Sequence, residues 1–500
     1  MAGQRRSDPD DRAVLLGLRE LADHALSRAA GAQLIGGNRV RLLRDARENY
    51  PAWLEAIRSA RHYINFECYI IHEDDTGREF ADVLISRAEE GVRVRLIYDW
   101  MGGFRKASRR FWKRLKDRGV EVRCYNPPRF SSPIGWLSRD HRKMLSVDGA
   151  VGYITGLCVG QMWVGVPSRN IEPWRDTGVE IRGCAVPAIE RAFSRIWTKC
   201  GGDTPVFAEP DAVTPAGNTS VRIVASEPAT SSMLRMDELV AALARKRLWL
   251  TDAYYAATPS YVQALRAAAR DGVDVRLLVP NGTDIPLLRP ISRAGYRTLL
   301  EAGIRIFEWN GTMLHAKTAV ADDNWARVGS TNLNIASWFG NYELDAVIED
   351  GCFASKMAQA YLEDLENATE VVLDRRAHVR APGEPKHPMV TSGGGSAGRA
   401  VAGVVRIGNA VGAAFTNRRV LEPVEARIAA FTGILLAIVA TLSALYPRVL
   451  AYPVAAAFAW LASVCLYRAV ALKRIGRKRS SPHEEHIAET QSKSRETRPQ

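Results

Sequence analysis

GVRVRLIYD, from Gly91 to Asp99, and GVDVRLLVP, from Gly272 to Pro280, are the two stretches on which the fold turns. Each alternates apolar with charged residues at a period of two, the spacing of a β-strand. Each follows a helix-like segment, VLISRAEE before the first and QALRAAARD before the second. A strand entered from a helix is a β-α-β step, and its recurrence at an offset of 181 residues predicts an internal duplication. Outward from these strings the match continues. A strand-like run, Tyr63 to Ile71, opens the first unit ahead of a helix over about Thr76 to Glu90. A further helix and short strand then follow in both units, RGVEVRCY around Val120 and AGIRIFEW around Ile304. The expected fold class is α/β, with two similar halves.

Just beyond these short strands the halves share a second pattern. The first reads His141-Arg-Lys143-Met-Leu-Ser-Val-Asp148 and the second His315-Ala-Lys317-Thr-Ala-Val-Ala-Asp322, both H-x-K-x-x-x-x-D. On a strand, residues i and i+2 face the same side, so each imidazole is expected beside an ammonium group. That pairing suits a phosphodiester, an anion that repels nucleophiles. Its cleavage calls for fixed cations on the non-bridging oxygens, an in-line nucleophile and an acid for the leaving group. One histidine can attack phosphorus to give a phosphohistidine while the other protonates the leaving alcohol and later deprotonates the acceptor. With Lys143 and Lys317 carrying the charge, neither metal nor cofactor is called for.

A nucleophilic imidazole needs a partner on its other nitrogen. Asp176 follows His141 by 35 residues and Glu343 follows His315 by 28, and these are the expected orienting carboxylates, each downstream of a motif. Asp148 and Asp322 complete the catalytic motifs but sit where the chain turns, a place for anchoring backbone rather than moving protons. Gly329-Ser-Thr-Asn332 reads as a phosphate cradle, with Ser330 and Asn332 as substrate contacts. Asn126 to Asp140 is a longer connection than its NGTML counterpart and is expected to overhang the site.

The net charge of +13 and pI near 9.5 fit an anionic partner, whether nucleic acid, lipid or phosphorylated substrate. No stripe of interleaved aromatic and basic residues marks a nucleic-acid surface, and none is expected as partner. The seven cysteines form no C-x-x-C pair and no metal-spaced cluster, as in a reducing compartment. The first thirty residues lack a signal-peptide core. Ile428 to Tyr446 and Val449 to Leu472 are apolar runs of 19 and 24 residues separated by Pro447 and Arg448. Each is long enough for a hydrocarbon layer of roughly 30 Å, which predicts a transmembrane hairpin. Basic residues flank both outer ends, so the ends, and the catalytic body with them, are expected on the cytoplasmic face.

The organisation read from the chain has seven parts. These are a polar, helical extension (1–37), a first half (38–205), a second half (206–380), a Pro/Gly/Ser linker (381–400), a segment able to lie at a membrane interface (401–427), the hairpin (428–472) and a basic tail (473–500).

With its two motifs, and with NRVRLLRDARENYPAWLEAIRSARHYINFECYII, PWRDTGVEIRG, TDAYYAATPSYVQAL and LHAKTAVADDNWARVGSTNLNIASWFGNYELD, the chain resembles the phospholipase D superfamily. Within it, the resemblance is to the bacterial cardiolipin synthases, over about residues 38–370. The resemblance implies a duplicated phospholipase D fold of two pseudo-twofold halves, each a mixed sheet flanked by helices, with the motifs meeting between them. It implies His141 as nucleophile and His315 as acid/base. It also implies phosphatidyl transfer from phosphatidylglycerol, with phosphatidylethanolamine as a second candidate substrate, to a lipid hydroxyl at a bacterial inner membrane. Hydrolysis to phosphatidic acid is the alternative outcome of the same chemistry. Two departures stand out: Thr155-Gly-Leu-Cys158 replaces the Gly-Ser-Thr-Asn pattern in the first half, and the apolar hairpin follows the catalytic body, where many cardiolipin synthases carry it at the N-terminus.

Overall fold

The computed structural model describes residues 21–128, 137–169, 171–205, 213–285 and 288–373, the backbone of 379–380, and scattered helical residues between 434 and 463. The chain divides into two units, residues 1–127 with 137–426, and residues 128–136 with 427–500.

In the first unit, GVRVRLIYD and GVDVRLLVP become strands β3 (Arg93–Asp99) and β11 (Asp274–Pro280). Each is the middle of a parallel trio, β3 between β2 (Tyr63–Cys68) and β4 (Glu121–Tyr125), β11 between β10 (Arg247–Thr251) and β12 (Arg305–Trp309). The arginines of β3 alternate with apolar residues along the strand, yet they do not share one environment. Arg93 is exposed, but Arg95 is buried and donates to Asn65 Oδ1 at 3.2 Å, because helices cover both faces of a parallel sheet.

Antiparallel strands extend each trio in the same order. The first half adds β6 (Lys143–Val147) beside β2, then β7 (Val151–Thr155), β8 (Thr177–Gly183) and β1 (Ile35–Arg44). The second adds β13 (Thr318–Ala321) beside β10, then β14 (Trp325–Gly329), β15 (Asn341–Glu349) and β9 (Thr219–Ser226). The two sheets are not separate, as the sequence reading had them: β1 pairs with β9 through Ile35 to Val221 and Asn38 to Thr219, giving one continuous sheet.

Helices start where the local chemistry provides a cap. Asp74 Oδ1 accepts from Gly77 N at the start of α2 (Asp75–Glu89), and Thr258 Oγ1 from Tyr261 N at the start of α6 (Pro259–Arg270), numbering helices after α1 (Asp45–Ser59) and α3 (Arg109–Asp117) through α4 (Val186–Lys199) and α5 (Ser232–Leu243). Helix α4 buries Ile189, Phe193, Ile196 and Trp197, one face at helical spacing, and each large side chain contributes about 1.5–3 kcal/mol by leaving water. The helix within 21–30, assigned to an extension by sequence, packs Leu26 and Ala30 into the core of the second half. Arg222 anchors it through Ser27 Oγ at 2.6 Å and Asp23 Oδ1 at 2.7 Å.

In the second unit, the described residues between 434 and 463 are helical. No helix among the described residues is long and apolar enough to cross a membrane, so the expected hairpin over 428–472 is not found there. Most of that segment, the linker at 381–400, the segment 401–427, the tail 473–500 and most of the overhanging connection (129–136) lie outside the described residues.

Candidate active site

His141 lies between β5 (Arg139–Asp140) and β6, with Lys143 opening β6, while His315 and Lys317 lead into β13. Each motif is tied by its backbone to the other half. His141 N donates to Tyr342 O at 2.9 Å and His315 N to Arg175 O at 2.7 Å. Tyr342 and Arg175 are the residues immediately before Glu343 and Asp176.

That register decides which carboxylate serves which histidine. His141 Nδ1 lies 2.9 Å from Glu343 Oε2 and 3.1 Å from Oε1, and His315 Nδ1 lies 2.7 Å from Asp176 Oδ2. The two carboxylates expected to orient the histidines each lie on an imidazole Nδ1, and the pairing is crosswise: each stands downstream of one motif and contacts the histidine of the other. The segments ahead of Asp176 and Glu343 cross to the opposite half, where Arg175 bridges Leu314 and Tyr342 pairs with Asp140.

Burial pushes Glu343 up, but His141 and Lys143 outweigh it and hold the carboxyl below its ordinary range. Asp176 is held down against burial by His315 and Lys317 in the same way. An ionised carboxylate can only accept, so each Nδ1 carries the proton and each Nε2 keeps its lone pair. Burial also lowers both imidazoles to about 4, with Lys317 adding to the effect at His315 and Glu343 opposing it at His141. Both rings are neutral at pH 7, the form that can attack phosphorus.

Lys143 and Lys317 are each 1% exposed, and each Nζ donates to the carbonyl of its own motif histidine. Lys143 Nζ stands 5.1 Å from the Tyr69 ring centre and Lys317 Nζ 5.9 Å from that of Tyr254. Burial brings Lys317 down to about 8, with Asp176 opposing and Lys143 reinforcing the shift. Each histidine also senses the other half's lysine, so the four groups share one electrostatic field.

The motif aspartates stand apart from this group. Asp148 accepts the backbone N–H groups of Arg61, His62 and Tyr63 at 2.7–2.9 Å, and Asp322 those of Arg245, Lys246 and Arg247 at 2.7–3.2 Å. Both have positive φ, 52° and 49°, a conformation Asp tolerates better than most residues. They clamp the turns entering β2 and β10, the backbone-anchoring place expected for them within the catalytic motifs.

Ser330 is also reassigned. Fully buried, its hydroxyl donates to Glu343 Oε2 at 2.6 Å and accepts from Leu344 N at 2.9 Å, which leaves it committed to the carboxylate rather than to substrate. Asn332 is 4% exposed and its Oδ1 has no hydrogen-bond partner among the described residues. Cys158 occupies the matching first-half position, since His72 N to Val159 O and Ala256 N to Leu333 O are equivalent backbone bonds. Burial raises the Cys158 thiol, but a hydrogen bond from Cys68 and the charge of Lys143 bring it to about 7.

Several contributors escaped the sequence reading. Trp163, Trp174 and Tyr254 ring His315, with centroids 5.7, 5.7 and 5.9 Å away, whereas among the described residues Tyr69 meets His141 edge-on at 4.9 Å. Arg175 donates to Asp364 at 2.8 and 2.9 Å and to Asp45 at 3.1 Å, fastening the segment that carries Asp176. Trp174, Arg175 and Asp176 adjoin one another in the string PWRDTG, which was the available signal.

The sequence profile described as "Cardiolipin synthase, PLD-like domain" matches residues 53–174 and 240–366, spans that each include one motif. A cardiolipin synthase of Alkalihalophilus pseudofirmus is 31% identical over 73% of this chain and 77% of its own length. Cardiolipin synthase 2 of Bacillus anthracis is 33% identical over 67% of this chain and 66% of its own. The crystal structure of phosphatidylserine synthase from Haemophilus influenzae superposes with a TM-score of 0.56 at 14% identity, covering 70% of this chain and 91% of that one, a likeness of fold. With both motifs set in the matched spans, and a relative above 30% identity aligned over most of both chains, this protein belongs to the cardiolipin synthase family of phospholipase D-like enzymes.

Proposed function

We propose that this protein is a phosphatidyltransferase. It moves the phosphatidyl group of phosphatidylglycerol to the hydroxyl of a second lipid, forming cardiolipin or a related phospholipid and releasing glycerol. The observation that carries this reading is the pair of buried, crosswise imidazole–carboxylate couples, each beside a lysine.

His141 Nε2 attacks phosphorus, the N–P bond forms, and the P–O bond to glycerol breaks as His315 Nε2–H gives the leaving oxygen its proton. His315 becomes that acid when the anionic diester enters, because a negative charge beside a neutral imidazole favours its protonation. In the second step His315 takes the proton of the acceptor hydroxyl, whose oxygen attacks phosphorus and breaks the N–P bond. Glu343 and Asp176 stabilise each imidazolium as it forms, and Lys143 and Lys317 offset the charge on the non-bridging oxygens. The buried Asn332 Oδ1, which has no hydrogen-bond partner among the described residues, supports a role for this residue in substrate contact.

Attachment to the cytoplasmic face of the membrane is part of the proposal. Support comes from the apolar runs 428–446 and 449–472 and the basic residues outside them. Purified full-length protein in phosphatidylglycerol vesicles is expected to yield cardiolipin and free glycerol by mass spectrometry. Phosphatidic acid alone would establish the hydrolase reading instead, and no phospholipid turnover would overturn both.

A further inference from the structure

The two orienting carboxylates are held by different donors. Glu343 Oε2 accepts from Ser330 Oγ at 2.6 Å as well as from His141. Asp176 Oδ2 accepts from the indole Nε1 of Trp163 at 3.1 Å as well as from His315 at 2.7 Å, while its Oδ1 takes Thr177 N at 2.8 Å.

Counting from the motif histidines, the first-half counterpart of Ser330 is Gly156. A Cβ there would stand 2.1 Å from Asp176 Oδ1, far inside contact distance. Asp is one methylene shorter than Glu, so its carboxylate lies back against the backbone at position 156 and leaves no space for a hydroxyl-bearing side chain. The donor must arrive from elsewhere.

Trp163 is built to supply it. The side chain is 1% exposed, its ring meets that of Trp174 at 5.0 Å and edges onto His315 at 5.7 Å with an interplanar angle of 81°. The short helix that carries it, Gln161–Val164, is pinned at its start by Gln161 N to Asp74 Oδ2 at 2.7 Å. Nothing among these contacts needs an indole N–H except Asp176, since a phenylalanine ring could make the apolar ones.

We propose that Trp163 is a positioning residue: its N–H gives Asp176 the hydrogen bond that Ser330 gives Glu343, and by fixing that carboxylate it sets His315 for proton transfer without touching substrate. The kinetic part of this inference rests on the phosphatidyltransferase reading. The geometric part does not.

The test uses full-length protein carrying Trp163→Phe, and a second form with 3-benzothienylalanine at 163, which replaces N–H by sulfur in a ring of nearly the same shape. The second form covers the case in which Trp163→Phe unfolds. With phosphatidylglycerol, whose leaving alcohol needs a proton, kcat is expected to fall about tenfold or more with KM little changed, as for loss of one hydrogen bond to a buried charge. With a p-nitrophenyl phosphodiester of the same lipid, whose leaving group departs unprotonated, the initial burst of nitrophenolate is expected at the wild-type rate. In histidine-labelled protein the Nδ1–H resonance of His315 should move while that of His141 stays. An unmoved His315 resonance in a folded variant overturns the proposal, as does an equal loss with both leaving groups. Wild-type protein that turns over no phospholipid would defeat the phosphatidyltransferase reading, and the resonance would still decide whether Trp163 holds Asp176.

Discussion

The two half-sites keep one plan and build it from different parts. Around His141 stand Glu343, Ser330, Tyr69 and, at the cradle position, Cys158. Around His315 stand Asp176, Trp163, Trp174, Tyr254 and Asn332. What is held constant is the Nδ1–carboxylate bond, the lysine two residues on, and the aspartate clamp beneath the strand. What differs is the shell that orients the carboxylate and closes over the ring. The difference shows that the chemistry constrains where the imidazole proton sits far more tightly than how its partner is supported.

The largest effects should come from the constant parts. His141→Ala and His315→Ala are each expected to reduce phosphatidyl transfer by on the order of 10³-fold or more. Only His315→Ala should retain a nitrophenolate burst with an activated diester, and a burst from His141→Ala instead would exchange the roles of the two halves. Glu343→Gln and Asp176→Asn follow, with kcat down by on the order of 10²–10⁴-fold, because an amide can donate to Nδ1 and favour the wrong tautomer.

The lysines sharpen the comparison through pH. Lys317, lowered to about 8 chiefly by burial, loses its charge as pH rises through that value, so kcat/KM should fall on an alkaline limb near 8. Arg stays protonated, so Lys317→Arg should displace or abolish that limb even if it lowers the maximum. Acid-side loss should come near pH 4, where the imidazoles gain protons and lose their lone pairs.

Smaller changes are expected where the halves differ. Ser330→Ala removes one donor from Glu343 and should cost about tenfold in kcat with the His141 environment, not that of His315, disturbed. Asp148→Ala and Asp322→Ala should each lower the stability of the folded chain by roughly 1–3 kcal/mol in denaturant titration, since each leaves three backbone N–H groups without their acceptor, while the folded fraction keeps its kcat.

Much of this was legible in the chain. GVRVRLIYD and GVDVRLLVP became the central strands of two parallel trios because period and flanking helices agree in specifying such a strand. The histidines, lysines and two carboxylates singled out in the sequence do adjoin one another in space, because few residue types suit a phosphodiester. Partnership was not legible. The distance from His141 to Asp176 along the chain says nothing of a segment that crosses to the other half, which the backbone bonds at Tyr342 and Arg175 and the Nδ1–carboxylate contacts reveal. Ser330 read as a cradle donor because a hydroxyl after glycine carries no mark of the carboxylate above it. Trp163 gave no signal at all, being one aromatic in a short turn whose role depends on a contact set by Gly156. The junction of β1 with β9 was equally silent, because two short pairings in an irregular register leave no pattern in either strand.

Crosswise pairing is the claim on which the rest depends, and the Nδ1–H resonances of selectively labelled histidines test it most directly. Glu343→Gln should shift the His141 signal and leave that of His315, with Asp176→Asn doing the reverse. Loss of the His141 signal in Asp176→Asn, with Glu343→Gln affecting His315, would show that each half serves its own histidine and would contradict the composite site.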